Sequence, residues 1–408
     1  MELFKVHGVE EAKELLGQYF QDFTLAVEEL PIEQALGRYL AEDVISQIDV
    51  PHFRRSTVDG YAVLAKDTVG ASESMPVFLL VSEEVEMGRE AKSKLTSGQA
   101  AYVPTGGMLP GGADSVVMVE YTEKLDATGI AVHYTTAPKE NVVEIGDDIR
   151  KGSHVLQKGL KIRPQDIGVL ASIGLSTVKV FQKPKFAVIS TGDEIVSPDE
   201  EAKPGQIKDI NTFTLAAMVE AAGGVVVAKD VVKDNFTLLK QTIESVMTDS
   251  DIIILSGGSS VGTKDIVPKV INAVGEPGVF VHGISIKPGK PTIMAKAGGK
   301  PIFGLPGHPT SAMIVFKVFV EYFIKTLMQN DELDKFIMGE LAVNVHSAQG
   351  RETYQMVTLE KSGDKYIVKP VYGKSGFITL MSKAIGYIKI PINQEGLTKG
   401  EKVKVYLF

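Results

Sequence analysis

Four short apolar runs between Lys185 and Val315 each end in a glycine-rich polar loop, at residues 190–194, 256–262, 287–291 and 304–309. Buried strands that end in such loops form a crevice at one edge of a sheet. Ligands of open α/β sheets bind outside the carboxyl ends of the strands, where glycine permits close approach and helix N-termini attract anions. The pattern therefore predicts a parallel sheet with a binding crevice.

The same region alternates between strand and helix patterns. Strands are predicted at 186–190, 225–228 and 252–255, and helices at 212–222, 236–247 and 265–274. Repeated βα units indicate a three-layer α/β domain with a mostly parallel sheet. Asn211 precedes the first predicted helix and is suited to cap it.

The rest of the chain shows three other patterns. Helical spacing occupies 9–20 and 31–45, short β-type runs follow to about 140, and only short strands follow 335. We predict a discontinuous mixed domain (1–45 and 141–180), a β-rich inserted domain (46–140), the α/β domain (181–328) and a C-terminal small β-barrel domain (329–408).

Composition excludes several classes of protein. A chain of 408 residues is too long for one ordinary core, and its net charge of −8 argues against a general nucleic-acid or anionic-membrane surface. The absence of cysteine excludes disulfides, thiolate nucleophiles and cysteine metal sites. The N-terminus carries no apolar signal core, and the apolar segment around 312–324 is shorter than a bilayer span. We expect a cytoplasmic protein.

Acidic residues follow the predicted strand ends. Asp193, Glu194, Asp234 and Asp265 are expected to surround the crevice. Carboxylates there favour a hard divalent cation, magnesium above all, which can bridge to phosphate or oxyanion oxygens. Helix capping or solvation is the alternative for any single acid. Convergence on strand ends favours Glu194 and Asp265 as metal ligands.

The remaining loops indicate anion binding. The 256–262 loop has neither the glycine spacing of a Walker loop nor that of a dinucleotide-binding loop. Its remaining binding groups are a row of backbone N–H donors and small hydroxyls, which can surround an oxyanion or a planar polar heterocycle. Lys287 and Lys290 flank a Pro-Gly turn that suits capture of phosphate or another oxyanion, although such a turn can also be merely solvated. The seven histidines show no metal-ligand spacing.

Several motifs, taken together and in order, resemble the molybdopterin molybdenumtransferase family, to which the C-terminal region of gephyrin also belongs. They lie at residues 55–62, 105–106, 111–117, 190–194, 256–262, 287–291 and 304–309. The resemblance spans essentially the whole chain. It implies that adenylylated molybdopterin and molybdate are converted to molybdenum cofactor and AMP with Mg²⁺ assisting. It also implies contact with the molybdopterin adenylyltransferase and an elongated homodimer, whose active site lies between the α/β domain and the partner's insert.

The resemblance also assigns site residues by motif. The catalytic group would be Asp59, Thr105, Asp148, Glu194, Asp234 and Asp265. The paired lysines of the family would be Lys287 and Lys290, and its C-terminal polar residues would be Arg351 and Ser375. Loop residues complete the predicted site: Ser190, Thr191, Gly192, Ser256, Gly257, Gly258, Ser260, Gly262, Pro306, Gly307 and His308.

Two residues depart from the family pattern. Family members often carry Asn where His308 stands and a larger aliphatic residue where Ser259 stands. The imidazole of His308 can still donate a hydrogen bond, but its charge can vary near neutral pH.

The predicted mechanism is electrostatic. Magnesium held by Glu194 and Asp265 would polarise the pyrophosphate between AMP and the pterin, while Lys287 and Lys290 hold molybdate. Two alternatives stay open: a gephyrin-like scaffold that organises partner proteins, and a nucleotide pyrophosphate hydrolase that uses the same crevice. A scaffold gives no reason to place acids and lysines around one crevice.

Overall fold

A computed structural model of the protein describes residues 6–257, 266–331 and 334–408. No helix in these three ranges is both long and apolar enough to cross a membrane.

The N-terminal segment begins with one predicted helix and then departs from the second prediction. Helix α1 (Val9–Tyr19) is confirmed, with Val9, Ala12 and Leu16 on its buried face. The helix predicted for 31–45 is wrong. The chain there forms β1 (Val27–Pro31), a 3₁₀ turn over Ile32–Gln34 and β2 (Val44–Ile45).

Both a local and a long-range feature prevent a helix over residues 31–45. Gly37 has a φ of 74°, in the left-handed region that a continuing helix does not allow. Beyond it, Tyr39 and Leu40 form β-bridges to Lys161 and Val180, which a helix would prevent.

The β-rich insert contains a six-stranded sheet with two clusters of buried apolar side chains. Its strands are β3 (Arg55–Ser56), β4 (Gly60–Val63), β5 (Val77–Glu84), β6 (Gln99–Val103), β7 (Ser115–Met118), β8 (Thr122–Lys124), β9 (Gly129–Val132) and β10 (Val142–Val143). Six strands pair in the order β7-β4-β6-β5-β9-β8. Strand β3 enters the insert and pairs with β10, which leaves it.

The chain then returns to the N-terminal segment through β11 (His154–Leu156), α2 (Pro164–Ser172) and β12 (Thr177–Phe181). Strand β12 pairs with β1, and β11 pairs with β2. Leu40, Leu170 and Val180 meet in one buried cluster. Segments on either side of the insert therefore share a core.

The α/β region forms the predicted layers. Its elements are β13 (Lys185–Thr191), β14 (Ile195–Val196), β15 (Ile207–Lys208), α3 (Asn211–Ala221), β16 (Val225–Val232), α4 (Phe236–Val246), β17 (Ile252–Ser256), α5 (Val267–Val274), β18 (Gly278–His282), β19 (Ile286–Lys287), β20 (Ile293–Ala297), β21 (Lys300–Leu305), α6 (Pro309–Val315), a π-helical turn (Phe316–Val320) and α7 (Glu321–Leu327). The central sheet runs β16-β13-β17-β21-β20-β18, and the first four strands are parallel.

Alternate residues of the central strands face opposite helical layers. Phe186 and Val188 of β13 pack with α3 and α6 on one side, whereas Ala187 and Ile189 pack with α4 and α5 on the other. Burial on both faces explains the uninterrupted apolar runs of these strands. The helices that follow the adjacent strands β13 and β17 are α3 and α5, and they lie on opposite faces of the sheet. A crevice therefore opens at the carboxyl ends of these two strands.

The C-terminal region is a closed five-stranded barrel, as predicted. Its elements are β22 (Phe336–Leu341), β23 (Val345–His346), β24 (Glu352–Ser362), β25 (Lys365–Pro370), α8 (Thr379–Lys383), β26 (Gly386–Ile390), β27 (Gly396–Leu397) and β28 (Lys402–Leu407). The order β24-β25-β22-β28-β26 closes through a β24–β26 pairing. Strand β19 of the α/β region pairs with β24, which attaches the barrel beside the crevice.

Candidate active site

The loops after β13 and β17 touch at the crevice. Gly257 has a φ of 101°, and a Cβ added to it would lie 2.2 Å from the carbonyl oxygen of Thr191. Only glycine permits this approach of two backbones. The predicted residues Gly258, Ser259, Ser260, Gly262 and Asp265 lie outside the described part of the chain.

Acidic residues at the ends of β13 and β16 are brought together as predicted. The hydroxyl of Thr191 donates to Oδ1 of Asp234 at 2.8 Å, and the N–H of Asp234 donates to Oδ1 of Asp193 at 3.2 Å. Lys233 Nζ donates to the carbonyl oxygen of Asp193 at 2.9 Å. The carboxylates of Asp193 and Asp234 therefore have fixed positions at neighbouring strand ends.

The carboxylate of Glu194 lies over the backbone of the same loop. A Cβ on Gly192 would lie 2.9 Å from Oε2 of Glu194. A side chain at Gly192 would displace this carboxylate, which is exposed to solvent and able to bind a ligand.

Carboxylate oxygens at these strand ends fit the chemistry of a magnesium ion, which prefers oxygen ligands and keeps several waters or substrate oxygens. Within the described ranges, no three His, Asp or Glu side chains converge as a ready-made metal site. A cation here would need further ligands, from the substrate or from Asp265.

A buried polar network supports the loops, and it includes Ser190 and Ser256, which the sequence assigned to ligand binding. Two further members, Asp209 and Thr212, were not predicted from the sequence. Ser190 Oγ donates to Oδ1 of Asp209 at 3.1 Å and lies 2.7 Å from the hydroxyl of Thr212. Asn211 Nδ2 donates to Ser256 Oγ at 2.7 Å and to the carbonyl oxygen of Gly307 at 2.8 Å. These side chains join the ends of β13, β17 and β21.

The network corrects the predicted role of Asn211. Ile210 occupies the N-cap position, and Asn211 is the first residue of α3 with its side chain directed across the crevice. Local sequence suggests a cap because asparagine at a helix start usually is one.

A second group of predicted residues meets where the barrel joins the sheet. Lys287 of β19 is in register with Thr353 of β24, so the turn carrying Lys290 lies beside Arg351. From the other side, Pro306 and Gly307 lead from β21 to His308, whose Nδ1 lies 2.8 Å from Oγ of Ser375.

One open cavity of about 520 Å³ is lined by most of these residues, but not by Pro306 or Gly307. Its basic side chains are Lys287, Lys290, Arg351, His308 and His346. No Asp or Glu is among the described residues that line it. Three permanent cations without a carboxylate make a cavity that attracts anions. His346 was not predicted, since nothing in its local sequence marks it.

The predicted residues of the insert form a separate pair. Oδ1 of Asp59 accepts the Thr105 N–H at 2.7 Å and the Thr105 hydroxyl at 3.0 Å. Both hydrogen bonds lower the pKa of Asp59, and the bond from the Thr105 backbone N–H has the larger effect. Asp148 is exposed in the loop before β11, where its N–H donates to Val50. None of these three residues lines the cavity that contains Lys287 and Lys290, called the lysine cavity below.

Family models match the chain in three successive parts. Residues 7–174 match the MoeA N-terminal region (domain I and II), and residues 338–408 match the MoeA C-terminal region (domain IV). Between them, residues 187–326 match a family described as a probable molybdopterin binding domain.

Individual relatives cover nearly the whole chain. A protein of Methanocaldococcus jannaschii is 36% identical over 97% of this chain and 95% of its own length. Molybdopterin molybdenumtransferase 2 of Mycobacterium tuberculosis is 31% identical over 92% of this chain and 94% of its own.

Solved structures agree with the fold. The crystal structure of a molybdopterin biosynthesis MoeA protein from Pyrococcus horikoshii is similar at a TM-score of 0.83 and 41% identity, covering 99% of both chains. Another from the same organism gives a TM-score of 0.86 at 32% identity, covering 99% of this chain and all of that one.

Proposed function

Because the chain belongs to the molybdopterin molybdenumtransferase family, we propose that it inserts molybdenum from molybdate into adenylylated molybdopterin, releasing AMP with magnesium assisting. Membership makes the protein a transferase of molybdenum cofactor biosynthesis. The adenylylated substrate, the metal and the residue roles are the proposed part.

One observation carries the proposal: a cationic cavity, with no Asp or Glu among its described lining residues, adjoins an acidic strand-end crevice through the Gly307–His308 segment. Lys287, Lys290 and Arg351 match the charge of an oxyanion. The crevice at the ends of β13 and β17 is where an open α/β sheet binds an extended ligand. The two ligands of the reaction would thus meet along one loop.

In this proposal the side chains act by binding and electrostatics. Lys287 and Lys290 hold molybdate, and Ser375 keeps His308 directed at it. Glu194 and Asp265 would hold Mg²⁺, which when bound neutralises charge on the pyrophosphate. A water oxygen forms a new bond to phosphorus as the P–O bond that joins AMP to the pterin phosphate breaks, and the proton of that water goes to solvent. The two dithiolene sulfurs replace oxygens of molybdate, which leave as water, so the protein contributes no nucleophile.

The test is release of AMP from adenylylated molybdopterin by the full chain, with and without sodium molybdate. We expect release to depend on molybdate. The double variant Lys287→Gln/Lys290→Gln should raise the molybdate concentration for half-maximal rate by roughly a hundredfold, if each cation contributes about 1.4 kcal/mol. Lys369→Gln is the matched control, since this lysine pairs with Glu360 on the barrel surface.

Two results would overturn the proposal. Full-rate AMP release without molybdate would favour the pyrophosphate hydrolase, and an unchanged molybdate requirement in the lysine variant would remove its oxyanion site. A chain that binds substrate but never releases AMP would instead favour a scaffold.

The location of Asp59 supports a homodimer with a shared active site. Asp59 and Thr105 form an ordered, exposed pair on the insert, and neither lines the cavity of its own chain. In the proposed dimer, this pair completes the crevice of the partner subunit.

Mixed dimers test the shared site. Asp59→Asn and Glu194→Gln chains should each be inactive alone, because each lacks one half of every site. Mixing and reassociating the two variants should restore about a quarter of the normal activity. Half of the dimers then contain one chain of each variant, and each of these mixed dimers has one intact site out of two. No recovery in mixtures shown to contain mixed dimers would exclude a shared site.

A further inference from the structure

Asn211 connects the two sides of the crevice through one amide group. It is the first residue of α3 and only 9% exposed. Its Nδ2 contacts Ser256 Oγ at the end of β17 and the carbonyl oxygen of Gly307 after β21. A carbonyl oxygen only accepts hydrogen bonds, so the group facing Gly307 must be the NH₂ end of the amide.

Few side chains could replace this contact. An amide NH₂ has two hydrogens, and here they reach two acceptors at 2.7 and 2.8 Å, one at the end of β17 and one in the segment that follows β21. Aspartate has the same shape but only accepts, so it would face the Gly307 carbonyl with like charge. Serine is too short to reach both acceptors.

The contact with Gly307 holds the backbone immediately before His308. His308 lies in the lysine cavity, and its Nδ1 meets Ser375 Oγ at 2.8 Å. Thr310 N–H donates to the Ser375 carbonyl oxygen at 3.2 Å, so the segment is held from the barrel side as well. The Gly307–Thr310 segment is therefore fixed at one end by Asn211 and at the other by Ser375.

We propose that Asn211 is a positioning residue that holds His308 in the oxyanion cavity through the carbonyl of Gly307. This role rests on the proposed function of that cavity. Asn211 itself need not touch the oxyanion.

The experiment is calorimetric titration of sodium molybdate into the full-length protein and its variants. Loss of a buried hydrogen bond should weaken molybdate binding roughly tenfold in Asn211→Asp. His308→Ala should weaken it similarly. If Asn211 acts through His308, the double variant should be no weaker than the weaker single variant. A residue with only a general structural role would give additive losses.

Controls separate positioning from unfolding. Asn235→Asp is the matched substitution, because Asn235 caps α4 through its oxygen, a role that aspartate retains. It should bind molybdate like the unmodified protein. Thermal unfolding is followed for every variant, and Asn211→Ser replaces Asn211→Asp if the latter does not fold.

The outcomes distinguish two failures. If the unmodified protein does not bind molybdate, the cavity is not an oxyanion site and both proposals are overturned. If it binds molybdate but folded Asn211 variants bind equally well, or the losses add, only the positioning role is overturned.

Discussion

His308 and Ser375 meet across the junction between the α/β sheet and the C-terminal barrel, with Nδ1 of the imidazole 2.8 Å from the serine Oγ. The two residues are 67 positions apart. The contact joins the last loop of the parallel sheet to the barrel segment beside Arg351, and so closes one side of the cationic cavity.

Ser375→Ala should therefore affect the oxyanion and not the chemical step. A neutral hydrogen bond contributes about 0.5–1.5 kcal/mol, so the KM for molybdate should rise roughly two- to tenfold with kcat unchanged. Steady-state AMP release at varied molybdate measures both constants. Ser382→Ala, an exposed serine of α8, is the control. A fall in kcat alone would contradict this assignment.

Asp59 provides a second prediction, because the same hydrogen-bond pattern occurs twice in the insert. Asp126 accepts the N–H and hydroxyl of Thr128, just as Asp59 accepts those of Thr105, and the pKa of each aspartate is lowered mainly by the backbone N–H. Asp59→Asn should reduce AMP release at least tenfold if its charge acts at the active site. Asp126→Asn should leave the rate unchanged.

The pKa of Asp59 can be measured directly by carbon-13 NMR titration of its carboxyl group. It should lie below the ordinary value of about 3.9. Thr105→Ala should raise it only in part, because the Thr105 backbone N–H remains. A pKa at or above the ordinary value in the unmodified protein would contradict the observed geometry.

The buried carboxylate at the start of α2 predicts loss of stability in acid. Asp166 is 2% exposed and accepts two hydrogen bonds from the Arg163 guanidinium, at 2.9 and 3.0 Å. These bonds, with the Arg163 N–H, lower the pKa of Asp166. In the folded state the Asp166 carboxylate therefore stays ionised at pH values where the unfolded chain binds a proton. The contribution of this carboxylate to the free energy of unfolding is complete above the unfolded pKa, near 3.9, and is lost as the pH falls through the folded pKa.

Arg163→Gln should lower the free energy of unfolding at pH 7 by about 1 kcal/mol, because solvent screens the guanidinium, whose side chain is 57% exposed, and the Arg163 backbone N–H bond to Asp166 remains. The difference between the two proteins should shrink below about pH 4. Urea unfolding at pH 7 and pH 3.5 measures it. A difference that does not depend on pH would show that Asp166 is not the group involved.

The sequence predicted the elements whose signals are local. Strands such as β13 and β17 are continuous apolar runs because both of their faces are buried, and each ends in a loop that glycine identifies. Because these strands alternate with helices along the chain, the sheet is parallel, and its crevice is expected at the carboxyl ends of the strands. The barrel was predicted from the short strands after 335 alone, and the first of them forms at Phe336–Leu341.

Contacts between distant positions could not be predicted from local pattern. The 31–45 segment has helical spacing, yet bridges from Tyr39 and Leu40 to Lys161 and Val180, more than a hundred residues away, determine its form. Asn211 resembles a helix cap until its partner Gly307, 96 residues later, is known. Arg351 and Ser375 were located only by resemblance to the family, since no spacing relates them to Lys287.

Gly257 gives a last prediction, about the crevice itself. Gly257→Ala would place a Cβ 2.2 Å from the Thr191 carbonyl at a φ of 101°, so the loops after β13 and β17 must separate. Gly205→Ala is the matched control, because its φ is 90° but nothing lies within 4 Å of the added Cβ. Both variants have the left-handed backbone penalty of about 1–2 kcal/mol, whereas only the first has the clash. In urea unfolding, Gly257→Ala should lose clearly more stability than Gly205→Ala, and it alone should lose AMP release. Equal losses of stability with full activity in both would mean that contact between these two loops is not needed for the reaction.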